Sequence, residues 1–115
     1  MLNNDDSKIL STAMYDIVDF RYNWNSTDTA FTIAKLLEEG GELSQAAQTY
    51  NGSLSKTIKH KDHTIEEAAD TIITVLDIVA KTYKHEYTQD EILQKLSYWL
   101  ATKRLVWMKK EGYLP

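Results

Sequence analysis

The segment 64–81 constrains this chain more than any other. Ala68, Ala69, Ile72, Ile73, Val75, Leu76, Ile78, Val79 and Ala80 cover most of the circumference of a helix, so other elements have to enclose it. Yet Glu67, Asp70, Thr74, Asp77 and Lys81 recur at steps of three and four and share one stripe of that same helix. Carboxylates are seldom buried unless they are paired or bound to a metal. Something cationic must therefore face this seam.

The spacing predicts three further helices. From Asp6, the residues Ile9, Leu10, Ala13, Met14, Ile17 and Val18 recur at helical intervals to near Trp24, with Asp5 or Asp6 placed to cap the first turn. After a polar connection at Asn25-Ser26-Thr27-Asp28, Ile33, Leu36, Leu37, Leu43 and Ala47 carry a second helix to about Tyr50. Gly40 and Gly41 interrupt it, which predicts close backbone packing or a crowded site at that level. A loop from Asn51 to about His63 holds Lys56, Lys59, His60, Lys61 and His63, and reads either as a solvated basic loop or as a flap over a phosphate-bearing ligand. Thr64-Ile65-Glu66-Glu67 is a capping-box pattern that opens the third helix. Thr88-Gln89-Asp90-Glu91 opens a fourth through Ile92, Leu93, Leu96, Leu100 and Val106, with Gly112 beyond its end.

A single proline and 4 glycines among 115 residues, with no β-branched alternation, complete an all-α expectation. Residues 1–115 should form one domain, a four-helix bundle. A net charge of -4 argues against a sequence-independent grip on polynucleotide phosphates, which needs clustered Lys and Arg. Without cysteines, neither a disulfide framework nor a thiolate metal site is available. The amino terminus lacks the basic start and apolar run of a signal peptide, and no later stretch is apolar for long enough to span a bilayer. The expectation is a soluble, cytoplasmic protein with no polynucleotide and no membrane partner.

On the second helix, Lys35, Glu39, Glu42 and Ala46 share a stripe of their own. If the two seams face each other, Glu39, Glu42, Glu67 and Asp70 converge into an all-oxygen site suited to Mg²⁺, with Mn²⁺ as a substitute, and Glu38 lies beside them. Taken singly, an acidic helical run is usually a solvated face, and Glu67 fits equally as the reciprocal partner in its capping box. The metal reading rests on the conjunction: two carboxylate pairs at i and i+3, on consecutive helices, one of them inside an apolar helix.

Lys35-Leu36-Leu37-Glu38-Glu39-Gly40-Gly41-Glu42-Leu43 followed by Glu67-Ala68-Ala69-Asp70 resembles the signature of the MazG-like all-α nucleotide pyrophosphatases, Glu-Glu-x-x-Glu and then Glu-x-x-Asp on the next helix. Arg21-Tyr22-Asn23-Trp24 through Gln48 is also similar to the corresponding part of the dCTP pyrophosphatases. The resemblance implies Mg²⁺-dependent cleavage of a nucleoside triphosphate between its α and β phosphorus atoms, giving a monophosphate and pyrophosphate. Glu38 is the candidate acceptor of the water proton; Trp24, at the helix junction, reads either as a core residue or as a base contact, the resemblance favouring contact, with Phe31, Gln48 and Tyr50 as candidates to complete a pocket. Lys35, Lys81, Lys103 and Arg104 are candidates for phosphate oxygens, and Thr74, on the same seam, joins the substrate-binding set. Asp77 continues the acidic seam beyond the family pattern. Two alternatives stand beside this: a phosphoribosyl-ATP pyrophosphatase with similar acidic motifs, and a non-catalytic helical interaction module using Tyr98, Trp99 and Trp107. A homodimer or homotetramer is expected, because a bundle of modest helices covers the apolar third helix with difficulty.

Overall fold

The computed structural model describes residues 1–24, 28–54 and 56–115. In chain order the helices are α1 (Asn4–Tyr22), α2 (Ala30–Tyr50), α3 (His63–Tyr83) and α4 (Gln89–Lys110), and the described residues contain no strand. The all-α expectation holds, with helix ends set by local chemistry that the sequence reading placed only in part.

Asn3, rather than Asp5 or Asp6, caps α1: its side chain accepts from the Asp6 N–H at 2.8 Å, and the two aspartates occupy the first turn, where the helix dipole favours them. The polar connection read at Asn25, Ser26 and Thr27 lies outside the described residues, but Asp28 Oδ1 accepts from the Ala30 N–H at 2.9 Å at the start of α2. The capping box expected at Thr64 does not form. Asp62 occupies the cap position of α3 without a side-chain hydrogen bond, which draws His63 into the helix and leaves Glu67 with no capping duty. Thr88 and Glu91 do form the reciprocal box that opens α4. Past the ends of α2 and α4, Gly52 (φ 85°) and Gly112 (φ 80°) adopt the left-handed conformation that lets the chain fold back. The next N–H groups, of Ser53 and Tyr113, then donate to the carbonyls of Gln48 and Met108, both at 2.8 Å.

Gly40 and Gly41 do not interrupt α2, which runs unbroken past them. A Cβ added at either would meet nothing within 4 Å, so neither glycine is needed to make room for a neighbouring atom.

Helix α3 is the hub. It packs on α1, α2 and α4; α1 also touches α4, whereas α2 touches α3 alone. The apolar core is built between α1, α3 and α4 from Val18, Leu76, Ala80 and Ile92, with Met14, Ile17, Val79, Leu93 and Leu96 around it. The α2–α3 contact is different in kind: the side chains buried there include Thr32 and Glu39 from one helix and Glu67, Thr74, Asp77 and Lys81 from the other. Enclosure of α3 is incomplete in the single chain, since Ile65, Ile72 and Val75 remain exposed, as do Trp99, Leu100, Val106 and Trp107 on α4. The radius of gyration is 16.5 Å, against about 13 Å for a compact domain of this length.

Candidate metal and substrate site

The polar α2–α3 contact brings the two sequence seams together. One carboxylate oxygen from each of Glu39, Glu67 and Asp70 lies within 4.8 Å of the others. Glu39 and Glu67 are both buried, at 8% relative exposure, while Asp70 and Glu42 are exposed. Helix backbones approach closely at this level, because the Thr71 hydroxyl, which donates to the Glu67 carbonyl at 2.9 Å, also lies 3.4 Å from the Glu39 carbonyl. Buried carboxylate oxygens are ordinarily hydrogen-bonded. Here Glu39 Oε2 and Glu67 Oε2 have no hydrogen-bond partner among the described residues. Lys35 supplies partial compensation from the rim, with Nζ 3.3 Å from Glu38 and 3.4 Å from Glu39. The hydrogen bond and charge of Glu38, followed by those of Glu39, raise the Lys35 ammonium above its ordinary pKa, so it stays charged. Two unpartnered buried oxygens, an exposed third carboxylate and an all-oxygen donor set are what a hard divalent cation requires.

Two cavities flank the cluster. One, of about 270 Å³, is lined by Arg21, Phe31, Thr32, Lys35, Glu39, Asp70, Asp77 and Lys81. Its floor is a buried network in which Lys81 Nζ donates to Thr32 Oγ1 at 2.7 Å and Thr32 Oγ1 donates to Asp77 Oδ2 at 3.2 Å. Asp77 Oδ1 lacks a hydrogen bond and is held by charge instead, with Arg21 Nε and Lys81 Nζ each 3.5 Å away. Asp77, whose role the sequence left open, is therefore the counter-ion of two cations. Thr74 also lines this cavity, but its hydroxyl lies 2.9 Å from the Thr71 carbonyl and 3.0 Å from that of Asp70, so its proton is committed to its own helix.

The second cavity, of about 250 Å³, opens on the other side and is lined by Glu42, Gln45, Tyr50, Lys56, Lys59, His60, His63 and Glu67. The basic loop thus borders the carboxylates, as a flap would. Trp24 lines neither cavity: it is 46% exposed beside Phe20, with the Arg21 guanidinium over both rings at 5.4 and 5.1 Å and its carbonyl accepting from Lys84. Gln48, Lys103 and Arg104 line neither cavity as well, and Gln48 donates to Ser44 on its own helix.

Sequence reasoning passed over Thr32, which lies three residues before Lys35 and so continues the α2 stripe, and His63, placed in the loop by the capping box assumed at Thr64. Arg21 entered only through the family resemblance. Comparison with protein-family models, curated proteins and solved structures gives no match.

Proposed function

We propose that this chain is a divalent-cation-dependent nucleoside triphosphate pyrophosphatase, as its resemblance to the MazG-like enzymes implies. The observation that carries the reading is the pair of buried carboxylates, Glu39 and Glu67, each with an oxygen lacking a hydrogen-bond partner among the described residues, facing each other across α2 and α3 beside Asp70. Glu39, Glu67 and Asp70, with Glu42 one turn on, would hold Mg²⁺, or Mn²⁺ in its place. When bound, the ion supplies charge neutralisation for the triphosphate and acidifies a water.

The chain's own groups do the rest. Lys35, Lys81 and Arg21 on one side and Lys56 and Lys59 on the other flank the carboxylates with positive charge, which suits a polyanion drawn across the cluster. Glu38, on the rim and paired with Lys35 at 3.3 Å, accepts the proton of the attacking water. The water oxygen bonds to the α phosphorus, the bond from that phosphorus to the bridging oxygen breaks, and pyrophosphate leaves with the electron pair. Lys103 and Arg104, on exposed α4, have no part in this set within one chain. The residues that α3 and α4 leave uncovered favour a homo-oligomer as the working form.

A screen of common ribo- and deoxyribonucleoside triphosphates with Mg²⁺ tests the proposal. Pyrophosphate released from at least one of them, and lost on chelation, supports it; orthophosphate plus diphosphate, or no turnover of any, removes it.

A further inference from the structure

We propose that His60, His63 and Glu66 form a second cation site, with a nitrogen-rich donor set that takes Zn²⁺ or a similar late first-row divalent ion in preference to Mg²⁺. One ligand atom from each of the three lies within 4.8 Å of the others, and none of the three belongs to the carboxylate cluster. Local structure assembles them. His63 and Glu66 lie one turn apart at the start of α3, and the His63 N–H donates to the His60 carbonyl at 3.2 Å, turning the loop so that the rings meet edge to face at 5.4 Å.

The contacts within the group are not hydrogen bonds. His60 Nε2 is 3.5 Å from one oxygen of Glu66, and His63 Nδ1 is 3.6 Å from the other. N–H···O bonds fall at about 2.7–3.2 Å, so these contacts are too long for that. Ligand atoms at about 2.0–2.1 Å from a tetrahedral Zn²⁺ are separated by roughly 3.3 Å, so three atoms within 4.8 Å of one another would draw together on binding. His63 Nδ1 is also buried without a hydrogen-bond partner. Imidazole nitrogens favour Zn²⁺, Co²⁺ or Ni²⁺, whereas Mg²⁺ demands oxygen. Three protein ligands would leave a fourth position for a water or ligand group, and both histidines line the 250 Å³ cavity from which one could come. On its far side the His63 ring has Nε2 3.7 Å from Glu67 Oε1, so the two sites share a wall.

The test uses the metal-stripped 115-residue chain in excess Mg²⁺, titrated with Zn²⁺ by calorimetry and with Co²⁺ by visible absorption. One equivalent of Zn²⁺ should bind, and Co²⁺ should give the intense visible bands of four-coordinate, nitrogen-ligated cobalt. His60→Ala and His60→Gln alter a half-exposed loop residue away from the apolar core. Each should weaken binding at least about tenfold, since even outer-shell partners of a metal are worth 10- to 100-fold. Glu39→Gln should leave it unchanged. Absence of Zn²⁺ binding above Mg²⁺ would overturn the assignment. So would binding lost in Glu39→Gln and retained in both His60 variants, which would put the ion among the carboxylates.

Discussion

Asp77 sits 6% exposed between two cations, and its loss strands the Lys81 ammonium, 7% exposed, without its nearest counter-ion. Removing one member of a buried pair typically costs about 3–5 kcal/mol, because the remaining charge stays desolvated. Asp77→Ala should destabilise the fold by that order in urea unfolding, and adding Lys81→Met should restore much of the loss. A cost within 0.5 kcal/mol, the usual range of surface changes, would mean the network is solvated and not structural. Sequence periodicity placed Asp77 and Lys81 on one stripe and so found the network's α3 half. Thr32 was legible by the same rule, one step before Lys35. Arg21 was not, since its pairing with Asp77 depends on how α1 crosses α3, and no local pattern encodes that crossing.

Helix α2 keeps two glycines where its geometry needs none. Neither has a positive φ, and a methyl group at either would meet nothing within 4 Å. Gly40→Ala and Gly41→Ala should each stabilise by about 0.5–1 kcal/mol through lower unfolded-chain entropy, read as a raised melting temperature. A fall on substitution would show that this turn packs against something the single chain lacks. Helix α4 offers a test of opposite sign. Thr88→Ala removes the oxygen that accepts from the third N–H of the helix and should cost about 1 kcal/mol. The backbone and side-chain hydrogen bonds of Thr88 hold the Glu91 carboxyl below its ordinary value of 4.5. A depressed carboxyl contributes stability that is complete above 4.5 and fades as pH falls through its folded value. The stability difference between wild type and Glu91→Ala should therefore shrink in acid, and a difference independent of pH down to 3 would contradict the box. Identical threonine-to-glutamate patterns predicted boxes at α3 and α4, yet only the second forms. At α3 the helix starts two residues earlier than the pattern implies, with Asp62 in the cap position and Thr64 already inside. Cap sequences mark where a helix can begin; the winding of the preceding loop decides.

Taken whole, the chain is open: α2 packs on α3 alone, and apolar side chains of α3 and α4 remain uncovered. Light scattering at micromolar concentration should show a dimer or larger homo-oligomer, with Leu100→Glu, Val106→Glu shifting it towards monomer; wild type that is purely monomeric would rule out a second copy as the cover. The number of helices, their order and the polar seams of α2 and α3 were readable from periodicity, because each depends on spacing within one segment; that the seams face each other was only a condition of the reading. The division into an apolar α1–α3–α4 core and a polar α2–α3 contact was not readable, since it depends on which elements meet. The claim on which the functional reading turns is that Glu39, Glu67 and Asp70 together hold a divalent cation. Electron paramagnetic resonance of free Mn²⁺, titrated against the 115-residue chain, measures that directly. Binding displaced by Mg²⁺, retained in His60→Ala and lost in Glu67→Gln with its helical circular dichroism intact, is the predicted result; Mn²⁺ held as well by Glu67→Gln as by wild type would contradict it.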